Sequence, residues 1–170
     1  MALGFFENFP ENVHETAAFT ITLSCKRLQQ TLIQTLHKLN GKSLRLEEVA
    51  DPSIPQCTII FEFGIAEANS FTYLDNDEVN KALKAISKKP FQVVDVYCAV
   101  RYYKWQNEKK TPLKFDYYML RFIFGKKMLE ILVFHERGPR YTTPNDIINF
   151  ITNKISGEFS KKVLKLLTSS

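Results

Sequence analysis

The sequence is poor in the signatures that announce a mechanism. Its 3 cysteines, Cys25, Cys57 and Cys98, are odd in number and widely spaced among 170 residues. That excludes a disulfide framework and points to buried thiols in a reducing, cytoplasmic setting. No CxxC or HxxxH occurs, and His14, His37 and His135 share no ligand spacing with the cysteines, so no metal site is expected. There is no GxSxG, Walker loop or GxGxxG, so neither a catalytic residue nor a cofactor is assigned. No apolar run approaches the roughly 20 residues that a membrane span needs. The segment Met1 to Val13 has acids in place of a basic n-region and no apolar core, so no secretory signal and no membrane partner are expected. Internal repeats, low-complexity tracts and linkers are also missing, and the chain reads as a single domain over residues 1–170, with 1–15 as a flexible or docking arm.

What is present is ordinary in amount and uneven in placement. A hydrophobic content of 45% and a charged content of 24% are those of a globular protein. The net charge of +5 hides a split: residues 1–80 hold 5 Lys/Arg against 11 Asp/Glu, and residues 81–170 hold 18 against 7. Between Arg101 and Lys127 there are 8 basic and 2 acidic residues. A localised basic field favours a polyanionic partner.

Period-two alternation of β-branched and aromatic residues predicts a meander of three strands, Gln92 to Lys104, Leu113 to Phe124 and Met128 to Glu136. Gly125-Lys126 suits a two-residue type II′ turn. That turn would set Arg121 opposite Glu130 and Asp116 opposite His135, two opposite-charge pairs across the ladder. One face of the hairpin (Tyr118, Leu120, Phe122, Leu129, Ile131, Val133) is core. The other mixes Asp95, Tyr97, Arg101, Tyr103, Tyr117, Met119 and Arg121 with Glu130, Leu132 and Phe134, and is too apolar to be a plain solvated back.

Upstream, strands are expected near Thr16 to Leu23, Ser43 to Val49, Gln56 to Ile65 and Ser70 to Leu74. Helices are expected over Cys25 to Leu39, capped by Ser24, and from Asp75 or Asn76 to Ser87. Asp51-Pro52 and Pro55 mark a loop. After the hard turn at Gly138-Pro139, Thr143-Pro144 opens a third helix, to Ile155. An apolar stripe of Phe159, Val163, Leu166 and Leu167 suggests a fourth over Glu158 to Leu167. The fold class is therefore α+β: a mostly antiparallel sheet with a C-terminal β-meander and four helices packed on it.

Three places could carry function. The first is the basic region with Arg101, Lys104, Trp105, Lys109, Lys110 and Arg121, where cations would neutralise phosphates and rings would stack on unpaired bases. Its alternative is a solvated loop whose only Trp folds back on the sheet or meets another subunit. The second is the mixed sheet face: aromatic and Arg side chains there could stack bases, although the Lys/Arg-Gly-Phe/Tyr signature of RNA-recognition sheets is missing. A covering helix or a partner protomer is its alternative. The third is the turn with Arg137, Arg140 and Thr142, ahead of a helix N-terminus that attracts anions. Its alternative is a capped turn with Arg paired to Glu136 or Asp146. The leading expectation is a non-enzymatic binding module for an anionic partner, nucleic acid before others. A protein-interaction subunit or homodimer comes second, and an enzyme or binder for a phosphorylated small ligand at Arg137/Arg140 third.

Overall fold

Each apolar strand needs a surface against which to bury its alternate residues, and the chain meets that need with one sheet and one layer of helices. The computed structural model describes residues 3–51 and 54–169. Met1 and Ala2 of the expected arm, and Pro52 and Ser53 of the expected loop, lie outside the described residues. The element order is β1 (Glu15–Ile21), α1 (Cys25–Leu39), β2 (Ser43–Arg45), a 3₁₀ turn (Leu46–Glu48), β3 (Cys57–Glu67), β4 (Ser70–Tyr73), α2 (Asn76–Lys88), β5 (Val93–Gln106), β6 (Lys109–Pro112), β7 (Asp116–Gly125), β8 (Met128–Arg137), α3 (Pro144–Ser156) and β9 (Leu164–Ser169).

All strand pairs are antiparallel, in the order β2-β3-β5-β7-β8-β1-β9, with β4 added to β3 and β6 to β5. Pairing of β1 with both β8 and β9 joins the two ends of the chain. One face of the sheet carries Phe61, Val96, Cys98, Tyr118, Leu120, Ile131 and Phe19, all buried with the apolar faces of α1, α2 and α3. The helices start where capping side chains satisfy free N–H groups: Ser24 Oγ accepts from Arg27, Asp75 Oδ1 from Glu78, and Thr143 forms a capping box with Asp146. Each such cap stabilises its helix by about 1 kcal/mol.

The sheet is mostly antiparallel as expected, but the described residues contain three α-helices, not four. The second half of the expected last helix, from Leu164 to Leu167, instead belongs to β9. A helix of ten residues is marginal by itself in water, whereas a strand here gains ladder hydrogen bonds to β1, covers an otherwise open sheet edge and buries Val163 and Leu164.

The β7–β8 register also differs from expectation. Gly125 pairs with Met128, Ile123 with Glu130, Arg121 with Leu132 and Tyr118 with His135, around a turn at Lys126-Lys127 in which Lys127 has φ 54°. The ladder has moved by two residues, which leaves every side chain on its original face. The hydrophobic pattern therefore cannot distinguish the two registers. The expected Arg121–Glu130 pair is replaced by a stronger one: Arg121 Nε and an Nη donate to both oxygens of Asp95 on β5, at 2.7 and 2.8 Å.

That ion pair holds the N-terminal segment. Past Phe63 and Cys98, β3 pairs with β4 instead of β5, and Leu3-Gly4 bridges the gap, with Gly4 N donating to Ala66 O and Gly4 O accepting from Asp95 N. Phe6 N donates to Asp95 Oδ2 and Phe6 O accepts from Arg121. The Phe5 and Phe9 rings flank the guanidinium, at 5.1 and 4.4 Å.

Candidate nucleic-acid interface

Among the described residues the helices pack on one side of the sheet. On the opposite side, alternation along β5 places Tyr97, Arg101, Tyr103 and Trp105 in a row. Neighbouring strands add rings: Phe71 stands 5.4 Å from Tyr97, Tyr97 is 6.1 Å from Tyr117, and Phe115 is 6.2 Å from Tyr103. The expected hairpin loop around Trp105 is two paired strands that meet at a tight turn. Asn107 and Glu108 both have positive φ, 50° and 62°, as a two-residue type I′ turn requires, and Trp105 pairs with Lys110 across the ladder. The indole is 43% exposed and its Nε1 donates to Thr58 Oγ1 at 2.8 Å, so the ring is held but not sealed.

Cations lie directly on these rings. Lys110 Nζ is 4.3 Å from the Tyr103 centroid and Arg137 Cζ is 4.1 Å from that of Tyr117. An Arg101 Nη donates to Tyr103 Oη at 3.1 Å, and its Nε stands 3.1 Å from Glu62 Oε1, close enough for an ion pair though not aligned as a hydrogen bond. An open depression of about 600 Å³, lined by Leu113, Lys114, Phe115, Tyr117 and Arg137, lies within this surface. Tyr97 donates to Glu136, and burial first, then the Glu136 charge, pushes its hydroxyl up to about 12. It stays a neutral donor.

The candidate residues divide. Arg101, Trp105 and Lys110 share the aromatic face, and Arg137 joins them from β8. Lys104 and Lys109, paired with Thr111 and Gln106, alternate to the other side of the hairpin. Arg121 leaves the surface, because Asp95 and the N-terminal segment enclose it. Arg140 and Thr142 separate from Arg137: the Arg140 side chain donates to His135 Nδ1 at 3.2 Å, and Thr142 is fully buried. The expected three-residue anion site is therefore not assembled, because the turn is folded inward to satisfy Asp116.

Asp116 meets His135 as the sequence suggests, although through a different strand register, and it holds much more than that one pair. Its carboxylate is fully buried at the end of the helix-covered face and accepts four hydrogen bonds. Oδ1 receives Arg140 N at 2.7 Å and His135 Nε2 at 2.9 Å, and Oδ2 receives Tyr102 Oη at 2.5 Å and Tyr141 N at 3.0 Å. Because His135 Nδ1 accepts from Arg140, its proton sits on Nε2 and the ring is a neutral donor. With the single Tyr102 proton committed to Asp116, Thr142 Oγ1 donates to Tyr102 Oη, and Tyr118 Oη donates to Thr142 O. Burial raises both tyrosine hydroxyls well above their ordinary range. Gly138, at φ 117°, lies so close that an added Cβ would stand 2.3 Å from Phe115 O. The available signal was two polar residues, Tyr102 and Asp116, at core positions of strands otherwise filled with apolar side chains.

Beside this network His14 accepts the His135 backbone N–H on Nδ1 at 2.9 Å, which requires a neutral ring. Burial, then the Arg140 charge, hold its pKa below the ordinary 6.5. The unfolded chain therefore binds this proton more readily, so the contribution is complete above pH 6.5 and fades as pH falls through the lowered folded value. Urea midpoints should fall with acidification in this window, and His14→Phe, which keeps the ring beside Phe134, should flatten that dependence. An unchanged pH profile in the variant would remove His14 from the account.

Among the described residues no group of three or more His, Cys, Asp or Glu could hold a metal ion, and no helix is long and apolar enough to cross a membrane. Burial pushes the Cys98 thiol well up, which marks it as inert. Compared with protein-family models, curated proteins and solved structures, the chain matches none of them.

Proposed function

We propose that this protein is a binding module for single-stranded nucleic acid, which it takes on the helix-free face of its sheet. The observation that carries this reading is the set of aromatic rings along β5 and β7 with cations seated on them, Lys110 over Tyr103 and Arg137 over Tyr117. Rings accept unpaired bases of any sequence, and neighbouring Lys and Arg meet the phosphates between them. Duplexes bury their bases and gain nothing from such a surface, so single strands are preferred.

Fluorescence anisotropy with a labelled oligothymidine tests the reading. Affinity should fall steeply with salt, and Lys110→Ala or Arg137→Ala should each lower the log–log salt slope by about 1. Tyr103→Ala should weaken binding by about 1–3 kcal/mol, the usual worth of one stacked base. No binding at low salt, or equal affinity for duplex and single strand, would end the proposal. A protein-interaction role has one observation in its favour: Leu166 and Leu167 on the edge strand β9 are each 52% exposed. A site for a phosphorylated small ligand at Arg137/Arg140 has no such support, since those two side chains engage Tyr117 and His135 respectively.

A further inference from the structure

At the far end of β5 lies a recess of about 540 Å³ whose lining includes Trp105 and Thr58. Its remaining wall has the wrong charge for phosphate. The type I′ turn brings Asn107 and Glu108 to the rim, and Arg45 stands there with its charge already engaged by Glu47 at 3.3 Å and by Glu48 at 3.8 Å. Glu108 is one of 2 acids among the 8 basic residues of Arg101–Lys127, and no ion pair is found for it among the described residues. A carboxylate beside an exposed indole repels the sugar-phosphate backbone. It is suited instead to the edge of a base, where donor N–H groups need an acceptor.

We infer that this recess is a base-reading subsite selective for guanine, and the inference rests on the nucleic-acid reading above. The base stacks on Trp105, which is 43% exposed and whose orientation the bond to Thr58 fixes in advance. Guanine alone presents two adjacent donors on its pairing edge, N1–H and the N2 amino group, and these match the two oxygens of one carboxylate, that of Glu108. The Asn107 side-chain amide supplies a donor for guanine O6. Adenine and cytosine each offer one donor next to an acceptor, and uracil or thymine one donor between two acceptors. Each of these would set a lone pair against the carboxylate. Stacking with edge readout is how unpaired bases are recognised in general.

Trp105 is the only tryptophan in the chain, so its fluorescence reports this recess and the end of the aromatic face beside it, and the ratio between bases together with Glu108→Gln isolates the recess. Titration of the full chain with guanosine, adenosine, cytidine and uridine monophosphates holds the phosphate constant and varies the base. Quenching by guanosine monophosphate should saturate at about tenfold lower concentration than by the others, the discrimination expected of one bidentate contact. Glu108→Gln, a change on an exposed turn, should abolish that ratio. Equal quenching by all four nucleotides, or an undiminished ratio in Glu108→Gln, would overturn the inference. Salt-dependent binding of oligothymidine is measured in parallel. Oligothymidine binding without guanine preference removes the subsite and leaves the sheet-face reading intact, whereas guanine preference without oligothymidine binding supports the subsite and removes that reading.

Discussion

Asp116→Ala is expected to lower the stability of the folded chain by about 3–5 kcal/mol, the range for removing one partner from a buried charged network. The carboxylate is inaccessible to water and satisfies two backbone N–H groups, Arg140 and Tyr141, together with Tyr102 Oη and His135 Nε2. Truncation orphans all four donors in a place where solvent cannot replace the acceptor, and each orphan costs about 1–3 kcal/mol before relaxation. Relaxation is restricted, because Gly138 packs directly against Phe115 and Asp116 and leaves the turn little room to move. Asp116→Asn keeps the volume but turns an amide N–H₂ towards donors, so it should fall between wild type and alanine. Urea unfolding followed by circular dichroism measures the series. A loss below about 1 kcal/mol for the alanine variant would mean that water reaches the site and that the network is not what closes the core.

The second large effect belongs to Arg121. Arg121→Ala leaves the fully buried Asp95 carboxylate with the Phe6 N–H at 2.7 Å and no counter-charge, which should cost about 3–5 kcal/mol. Phe5 and Phe9 lose the group they flank, so residues preceding β1 should become the first site of proteolytic cleavage. Most of the penalty comes from stranding a charge. Asp95→Leu combined with Arg121→Leu should therefore recover much of the stability, since apolar replacement of a buried pair is often close to neutral. Equal losses in the single and double variants would show that the pair positions the segment in a way that apolar packing cannot imitate. Oligothymidine affinity, compared under conditions where both proteins remain folded, should be insensitive to Arg121. That separates it from Lys110 and Arg137.

The two residues show where sequence reading stops. Arg121 lies on a strand in the most basic stretch of the chain, and one-dimensional charge patterning treats it as one cation among eight. Its partner is Asp95, which lies directly across the β5–β7 ladder, and the β7–β8 register that removes Glu130 as the alternative partner is one of two that the hydrophobic alternation permits equally. Glu158 to Leu167 poses the same problem in another form. Its apolar stripe fits a short helix, and only the unpaired edge of β1 makes a strand the better solution. Lys104 and Lys109 were grouped with Trp105 by proximity along the chain, and the period of two then sent them to the opposite side.

The amino-acid order by itself determined which segments alternate, which cap and which break: the extents of α1, α2 and α3, the apolar faces of the β3, β5, β7 and β8 strands, and the concentration of cations after residue 100. These follow from interactions within a few residues, whose geometry is nearly the same in any fold. Tertiary structure alone decided which cations stay on the surface, that the N-terminal segment closes the gap between β3 and β5, and that Asp116 anchors the turn before α3. Those outcomes depend on which distant groups meet in a water-free place, where one well-made charged pair outweighs several marginal local preferences.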